Sequence, residues 1–316
     1  MPAPDSSSHH RPIKSGSYAN PIYGILILIL SSWALSTLDA SGKWIMAAGA
    51  SLLLMCWMRY VVHLALVLIL VLPGKGIGVF KAKRPGAQFI RGFVMLVATL
   101  TFFTALSYLP QAEATAINFL APLLVLSTAP WLLKEPPKRS RWIAAAVGFL
   151  GVLIIIRPGS GLHWVGVFFG LITACMFAIQ FIVTRRVAID HAMTTLVWSG
   201  LVGAIGTTAL LPFYWDSIVL IMKQLSAFEW LILSSTGFWG AVGHLLQIQV
   251  YQHAPASMLA PFAYLQIVGA AALGWIVWVH FPDTLTWIGI GVVCGSGIVI
   301  GFIEWRQQQA TKHHSV

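Results

Sequence analysis

The sequence predicts an all-α, polytopic membrane protein with ten transmembrane helices, built as two inverted five-helix repeats. Three observations predict it. Of 316 residues, 58% are hydrophobic and only 9% are charged, whereas soluble chains average about 45–50% apolar and about 25% charged. A chain this apolar lacks the polar surface to wrap a soluble globule. Its apolar runs recur at lengths near the roughly 20 residues that cross about 30 Å of hydrocarbon. Finally, the chain matches itself when shifted by 145 positions.

In order, the apolar runs place spans at 22–45, 50–72, 88–107, 110–133, 141–157, 164–184, 194–214, 230–252, 255–279 and 285–303. Pro and Gly punctuate several connections, among them Pro73-Gly74, Pro158-Gly159 and Pro282. Residues 1–20, rich in Ser, Pro and His, read as a disordered cytoplasmic tail, and 304–316 as a second cytoplasmic tail. No signal peptide is expected: a polar stretch precedes the first run, and Asp39 and Lys43 follow it.

The formal charge of +10 raises nucleic acid as a partner, but the basic residues cluster in short segments between apolar runs. Of nineteen Lys and Arg, only Lys43, Arg157 and Lys223 fall on one side; Arg59 and Arg91 lie within spans; the remaining fourteen fall on the other side. Cytoplasmic segments carry such an excess. The bias predicts both termini in the cytoplasm of a cell whose inner membrane the chain crosses, and no nucleic-acid partner.

The self-match lays Gly92-Phe93 on Gly237-Phe238, Pro110 on Pro255, Leu120 on Leu265 and Trp142-Ile143 on Trp287-Ile288. A shift of 142 lays Gly24 on Gly166, Ser31 on Thr173 and Lys43 on Arg185. The repeats are 22–157 and 164–303. Five spans each is an odd number, so the halves enter the membrane in opposite orientation, an arrangement that suits alternating access.

Polar groups at membrane depth need a partner or a water-filled cavity. Arg59 lies about 13 Å from the nearer end of its span at 1.5 Å per residue, with His63 one turn on. It reads either as an anchor for an acceptor group on a solute or as a packing residue bonded to neighbouring helices. Pro122 has no N–H and frees the carbonyl of Asn118; Pro261 does the same for Ser257. Each reads as a ligand-binding helix break or as a plain kink. His244, Gln247 and Tyr251 share one helical face. Tyr264, Gln266 and Gln180 complete the substrate-binding candidates. Glu113, three positions after Pro110, is either an ordinary helix start or a proton-coupling residue. Asp39 and Lys43, spaced i and i+4, are expected to neutralise each other. Gly289, Gly291, Gly295, Gly297 and Gly301 permit close helix approach, within a monomer or between the chains of a homodimer. Cys56, Cys175 and Cys294 lie in apolar segments and read as small core residues.

The runs LPQAEATAINFLAP (109–122) and APASMLAPFAYLQ (254–266), with LDASGKW (38–44) and WMRY (57–60), resemble the EamA-type members of the drug/metabolite transporter superfamily. The resemblance spans roughly 22–303. It implies ten helices, a central cavity between the halves and no ATP site, in proteins that move amino acids, nucleotide-like cofactors, vitamins or other metabolites. One departure stands out. The family often has Gly-Glu after the fourth and ninth helices; here those places read Lys134-Glu135 and Val279-His280.

The expected function is secondary transport of a small organic solute through a lipid bilayer, with no cofactor and no metal. A membrane-embedded enzyme, the competing class, is disfavoured: the chain has no HExxH, no acidic pair within a span and no Gly-x-Ser-x-Gly. It has no P-loop either. Neutral amides and abundant aromatics favour uptake of a planar vitamin such as riboflavin; export of amino acids or related metabolites is the alternative.

Overall fold

A computed structural model describes residues 21–132, 139–157, 160–187, 189–253 and 262–313. Every regular element among them is helical. The first half holds α1 (Pro21–Ala47), α2 (Leu52–Lys75), α3 (Pro85–Tyr108), α4 (Gln111–Asn118), α5 (Leu120–Leu132) and α6 (Arg139–Ile155). The second holds α7 (Trp164–Val187), α8 (Ala192–Leu210), α9 (Trp215–Gln224), α10 (Ala227–His253), α11 (Leu265–Trp278) and α12 (Thr284–His313). Six stretches are long and apolar enough to cross a membrane: Tyr23–Ala47, Leu52–Phe80, Pro85–Tyr108, Trp164–Thr184, Ala192–Gln224 and Thr284–Ile303. Trp142–Ile155 and Leu265–Trp278 are shorter apolar helices.

Local chemistry sets the ends. The Ser51 hydroxyl accepts from the Leu54 amide at 3.2 Å and caps α2. Pro85 occupies the first turn of α3, where its missing N–H costs nothing. Ser226 and Glu229 form a reciprocal capping box on α10, with the carboxylate 2.7 Å from the Ser226 amide. Asp283 caps α12: its carboxylate accepts from the Thr286 amide at 2.7 Å. The amide and hydroxyl of Thr286, followed by Arg157, hold the Asp283 carboxyl below the usual carboxylate range.

Polarity runs opposite to that of a soluble protein. Ile69, Leu70, Trp275 and Ile276 are mostly exposed on the outer surface, while Ser36, Gln88, Thr173 and Thr207 are fully buried. An apolar exterior is stable only against hydrocarbon, so the chain is a multi-pass membrane protein. Cys175 belongs to this exterior: it is exposed, not a core residue, while Cys56 is buried and Cys294 intermediate.

The halves interlock. α1 packs on α10 and α7 on α3; α2 packs on α10 and α3 on α8; α2 meets α8, α6 meets α12, and α4 meets α11. If α1 is matched with α7, α2 with α8, α3 with α10, α4 with α11 and α6 with α12, exchanging the halves returns the same set of pairs.

Three features differ from the sequence expectation. The fourth expected span is broken: α4 ends at Asn118, Phe119 stands between, and α5 begins at Leu120, as expected where Pro122 cannot donate to the Asn118 carbonyl. The short helix α9, with Asp216 in its first turn and Lys223 in its last, fills the gap between the expected spans 194–214 and 230–252; its 10 residues are too short a run to cross a bilayer. The last helix does not stop near 303 but runs to His313. Pro255, Ser257 and Pro261, with Lys134 and Glu135, lie outside the described residues.

Candidate solute-binding chamber

The site is built around α2. Small residues on the opposite half admit it closely: a Cβ on Gly203 of α8 would lie 2.2 Å from the Tyr60 ring, and one on Gly237 of α10 would lie 2.9 Å from the Arg59 carbonyl. Arg59 is thereby clasped at the seam between the halves and is only 7% exposed. Its Nη1 donates to the Thr99 hydroxyl at 2.9 Å, and the guanidinium lies 4.9 Å from the Tyr60 ring centroid and 6.0 Å from that of Phe103. Tyr60 and Thr99 share a 2.8 Å hydrogen bond, which fixes the acceptor.

The arrangement leaves polar atoms over. Arg59 Nε is buried with no partner, and so is His244 Nε2. Leaving a buried polar atom unsatisfied costs about 1–3 kcal/mol, and folding alone gives no reason to retain that cost twice in one place. The His63 and His244 rings stand 6.0 Å apart, edge to face. Gly240, on the turn before His244, keeps this space open: a Cβ there would be 3.9 Å from both Arg59 Nε and His63 Nδ1. Gln247 lies one turn on from His244 and acts on its ring. Asp39 of α1 is 6% exposed and lies within the electrostatic reach of the Arg59 guanidinium.

The structure brings Arg59, His244 and Gln247 together and sets the other candidates apart. Asn118 Oδ1 is buried and unpartnered at the α4–α5 break. Beside it, Phe119 meets Tyr264 across the halves, with ring centroids 4.9 Å apart. These two residues correspond under the shift of 145 and both interrupt helix, Phe119 ending α4 and Tyr264 preceding α11. The Tyr264 hydroxyl reaches α12, where a Cβ on Gly297 would fall 1.5 Å from it. The Gln266 carbonyl accepts from Ser36 at 3.1 Å, which joins α11 to α1. Gln180 is 8% exposed with Oε1 unpartnered, and its carbonyl accepts from Thr184, whose hydroxyl receives Arg91 Nε at 2.9 Å.

Asp39 and Lys43 do not form the expected pair. Lys43 turns away, donating to the Leu109 carbonyl and lying 5.2 Å over the Trp278 ring. The i, i+4 spacing permits the pair, but Lys43 takes the Leu109 carbonyl and the Trp278 ring instead. Arg91, Thr99 and Asp39 are the residues that sequence reasoning missed here. Arg91 carried a signal, being a charge within a span; Thr99 carried none.

A buried guanidinium with one unpartnered nitrogen lies at the seam of a two-part helical membrane protein, the architecture of membrane carriers. The chain belongs to the EamA-like transporter family, whose model matches residues 22–157 and again 164–302, and it is a non-enzymatic transporter. Among similar proteins are an S-adenosylmethionine uptake transporter of Rickettsia felis, 24% identical over 241 residues, covering 76% of this chain and 79% of the relative. An uncharacterized transporter of Helicobacter pylori is 28% identical over 247 residues, covering 76% and 82%. The pseudopaline exporter CntI of Pseudomonas aeruginosa is 26% identical over 270 residues, covering 84% and 91%. A solved crystal structure shares the fold, with a TM-score of 0.63 at 17% identity, covering 92% of this chain and 99% of that one.

Proposed function

We propose that the protein carries a metabolite bearing both a carboxylate and a cationic group across the cytoplasmic membrane by alternating access. Ten spans, in inverted repeats at 22–157 and 164–303, would rock about the seam. The observation that carries this reading is Arg59, buried between the halves with Nε unpartnered and Asp39 within its field. A planar guanidinium matches a carboxylate, and Asp39 supplies the complement for a cation. S-adenosylmethionine, named for one group of relatives, carries both a carboxylate and cationic centres. Riboflavin, the narrower expectation, has no charge to engage the pair and gains no support from the relatives. The amino-acid-like alternative takes its place.

The test is ligand-induced thermal stabilisation of the purified protein across S-adenosylmethionine, amino acids, riboflavin and nucleosides. Solutes carrying both charges should stabilise it. Arg59→Ala should weaken that binding about 10- to 100-fold, the scale of a hydrogen bond to a charged group at about 1.5–3 kcal/mol, while the folded yield stays near wild type. Arg59→Lys should rescue poorly. Stabilisation by riboflavin alone would overturn the reading, and collapse of folded Arg59→Ala protein would return Arg59 to a packing role.

A further inference from the structure

A second titratable cluster sits at the end of the bundle where α3 gives way to α4 and α11 to α12, outside the chamber around Arg59. Glu113 of α4 is 3% exposed. One carboxylate oxygen lies 3.0 Å from His280 Nε2, and the other is buried with no partner. His280 belongs to the second half, in the turn after α11, and its side chain is 44% exposed. The contact therefore ties one half to the other. Two pockets meet at it: one of ≈ 160 Å³ lined by Lys43, Gln111 and His280 among others, and one of ≈ 290 Å³ lined by Glu113, His280 and Asp283 among others. His280 opens onto both pockets, while Glu113, at the wall of the second, is almost fully buried.

The neighbouring charges limit what can titrate. Lys43 of α1 acts electrostatically on Glu113 but is engaged by the Leu109 carbonyl and the Trp278 ring. Arg157, from the turn after α6, is paired with Asp283. Arg and Asp normally keep their charge through the neutral range, and imidazole is the side chain that normally changes there; Lys43 is the remaining cation that faces Glu113. Two imidazoles face this end among the described residues: His280, and His163, whose ring stacks on Tyr108 at 4.9 Å and makes no contact with Glu113 that ties the halves. Protonating His280 turns a hydrogen bond from neutral imidazole to the Glu113 carboxylate into an ion pair, which adds the attraction of opposite charges. A proton on His280 thus tightens the contact between halves, and parting the halves gives the proton up.

We propose that Glu113 and His280 form a proton-binding site shared by the two halves, and that the proton held there closes this end of the solute path. The proposal rests on the transporter reading, and on the orientation inferred from charge this end faces outside. By linkage, what binds a proton more tightly when closed is closed by acid and opened by alkali.

The test needs no solute, so its failure would leave the transport reading standing, and failure of the solute panel would leave this one standing. Ser107 of α3 and Leu285 of α12 are exposed residues of opposite halves at this end. Each is replaced by a spin-labelled cysteine in the full-length protein, with Cys56, Cys175 and Cys294 changed to alanine, in lipid nanodiscs. Between about pH 5.5 and about pH 8.5, on either side of the usual histidine range, the ratio of short to long inter-label distances should fall about tenfold. His280→Gln and Glu113→Gln should each abolish that response, and His163→Gln and Lys43→Met should each keep it. Because His280 is half-exposed, its replacement tests the proton and not the fold. A distance distribution independent of pH in the parent, or a response that survives His280→Gln, overturns the proposal.

Discussion

Val279 shows how much one backbone angle can hold. It ends α11 in the left-handed region at φ 54°, and it is the non-glycine residue with positive φ among the described residues. A β-branched side chain is disfavoured there by roughly 1–2 kcal/mol. The family resemblance puts glycine at this place, so the strain is legible in the sequence as a departure from pattern. Val279→Gly removes the strain but adds about 0.5–1 kcal/mol of unfolded-state entropy. The net expectation is a gain of about 0.5–1 kcal/mol, read as a Tm higher by about 1–3 °C; an unchanged or lower Tm would show that the turn is not strained. His280, one position on, was visible only as a missing acid, and its partner Glu113 as a helix start or a proton-coupling residue with no partner named. No spacing rule joins two residues 167 positions apart. Arg59 was the easy one, because a charge within a span announces itself. Asp39 was misleading, because its spacing to Lys43 offered a simpler partner than the one the fold supplies.

Helices were legible where hydropathy and caps agree, as at Ser51 and Pro85. They were illegible where a helix is amphipathic, as in α9, whereas the interruption between α4 and α5 was signalled by Pro122. Pro122 explains the interruption, and the explanation can be tested at the level of the element. Pro122→Ala restores an N–H able to donate to the Asn118 carbonyl. Amide exchange across 118–124 should slow by about two- to tenfold, the equivalent of the roughly 0.5–1.5 kcal/mol that a hydrogen bond contributes net. Exchange that stays as fast as in the parent would assign the break to packing around Phe119 instead. The glycines of α12 divide in a way that the sequence pattern leaves open. Gly289 approaches Gly151 of α6, where a Cβ would meet the opposite carbonyl at 2.7 Å, and Gly297 lies under Tyr264; Gly291 and Gly295 face open space. Those first two serve contacts within the chain.

For the whole molecule, the basic-residue bias makes a direct statement about sidedness. Reporter fusions at Lys138 and after Arg306 should read cytoplasmic, and a fusion near Lys223 should read external. An external signal at Lys138 would break both the orientation and the even count of ten spans. At the cytoplasmic end on this reading, the halves are also tied: Asp190 accepts from the Lys83 amide at 2.7 Å and from Gln88 Nε2 at 2.9 Å, and Arg84 reaches the Arg186 carbonyl at 3.1 Å. Contacts between the halves therefore exist at both ends of the bundle.

The ring pair at the helix breaks carries one last consequence. In a perfectly duplicated chain, the residues at positions 119 and 264 would be identical, and a carrier whose two states interchange the halves would spend equal time in each. Here one is Phe and the other Tyr, and the extra hydroxyl rests against Gly297. A close contact that one ring makes and its counterpart lacks tilts such a balance to one side. Without any gradient, the protein would then have a resting posture, written into the chain by one oxygen atom.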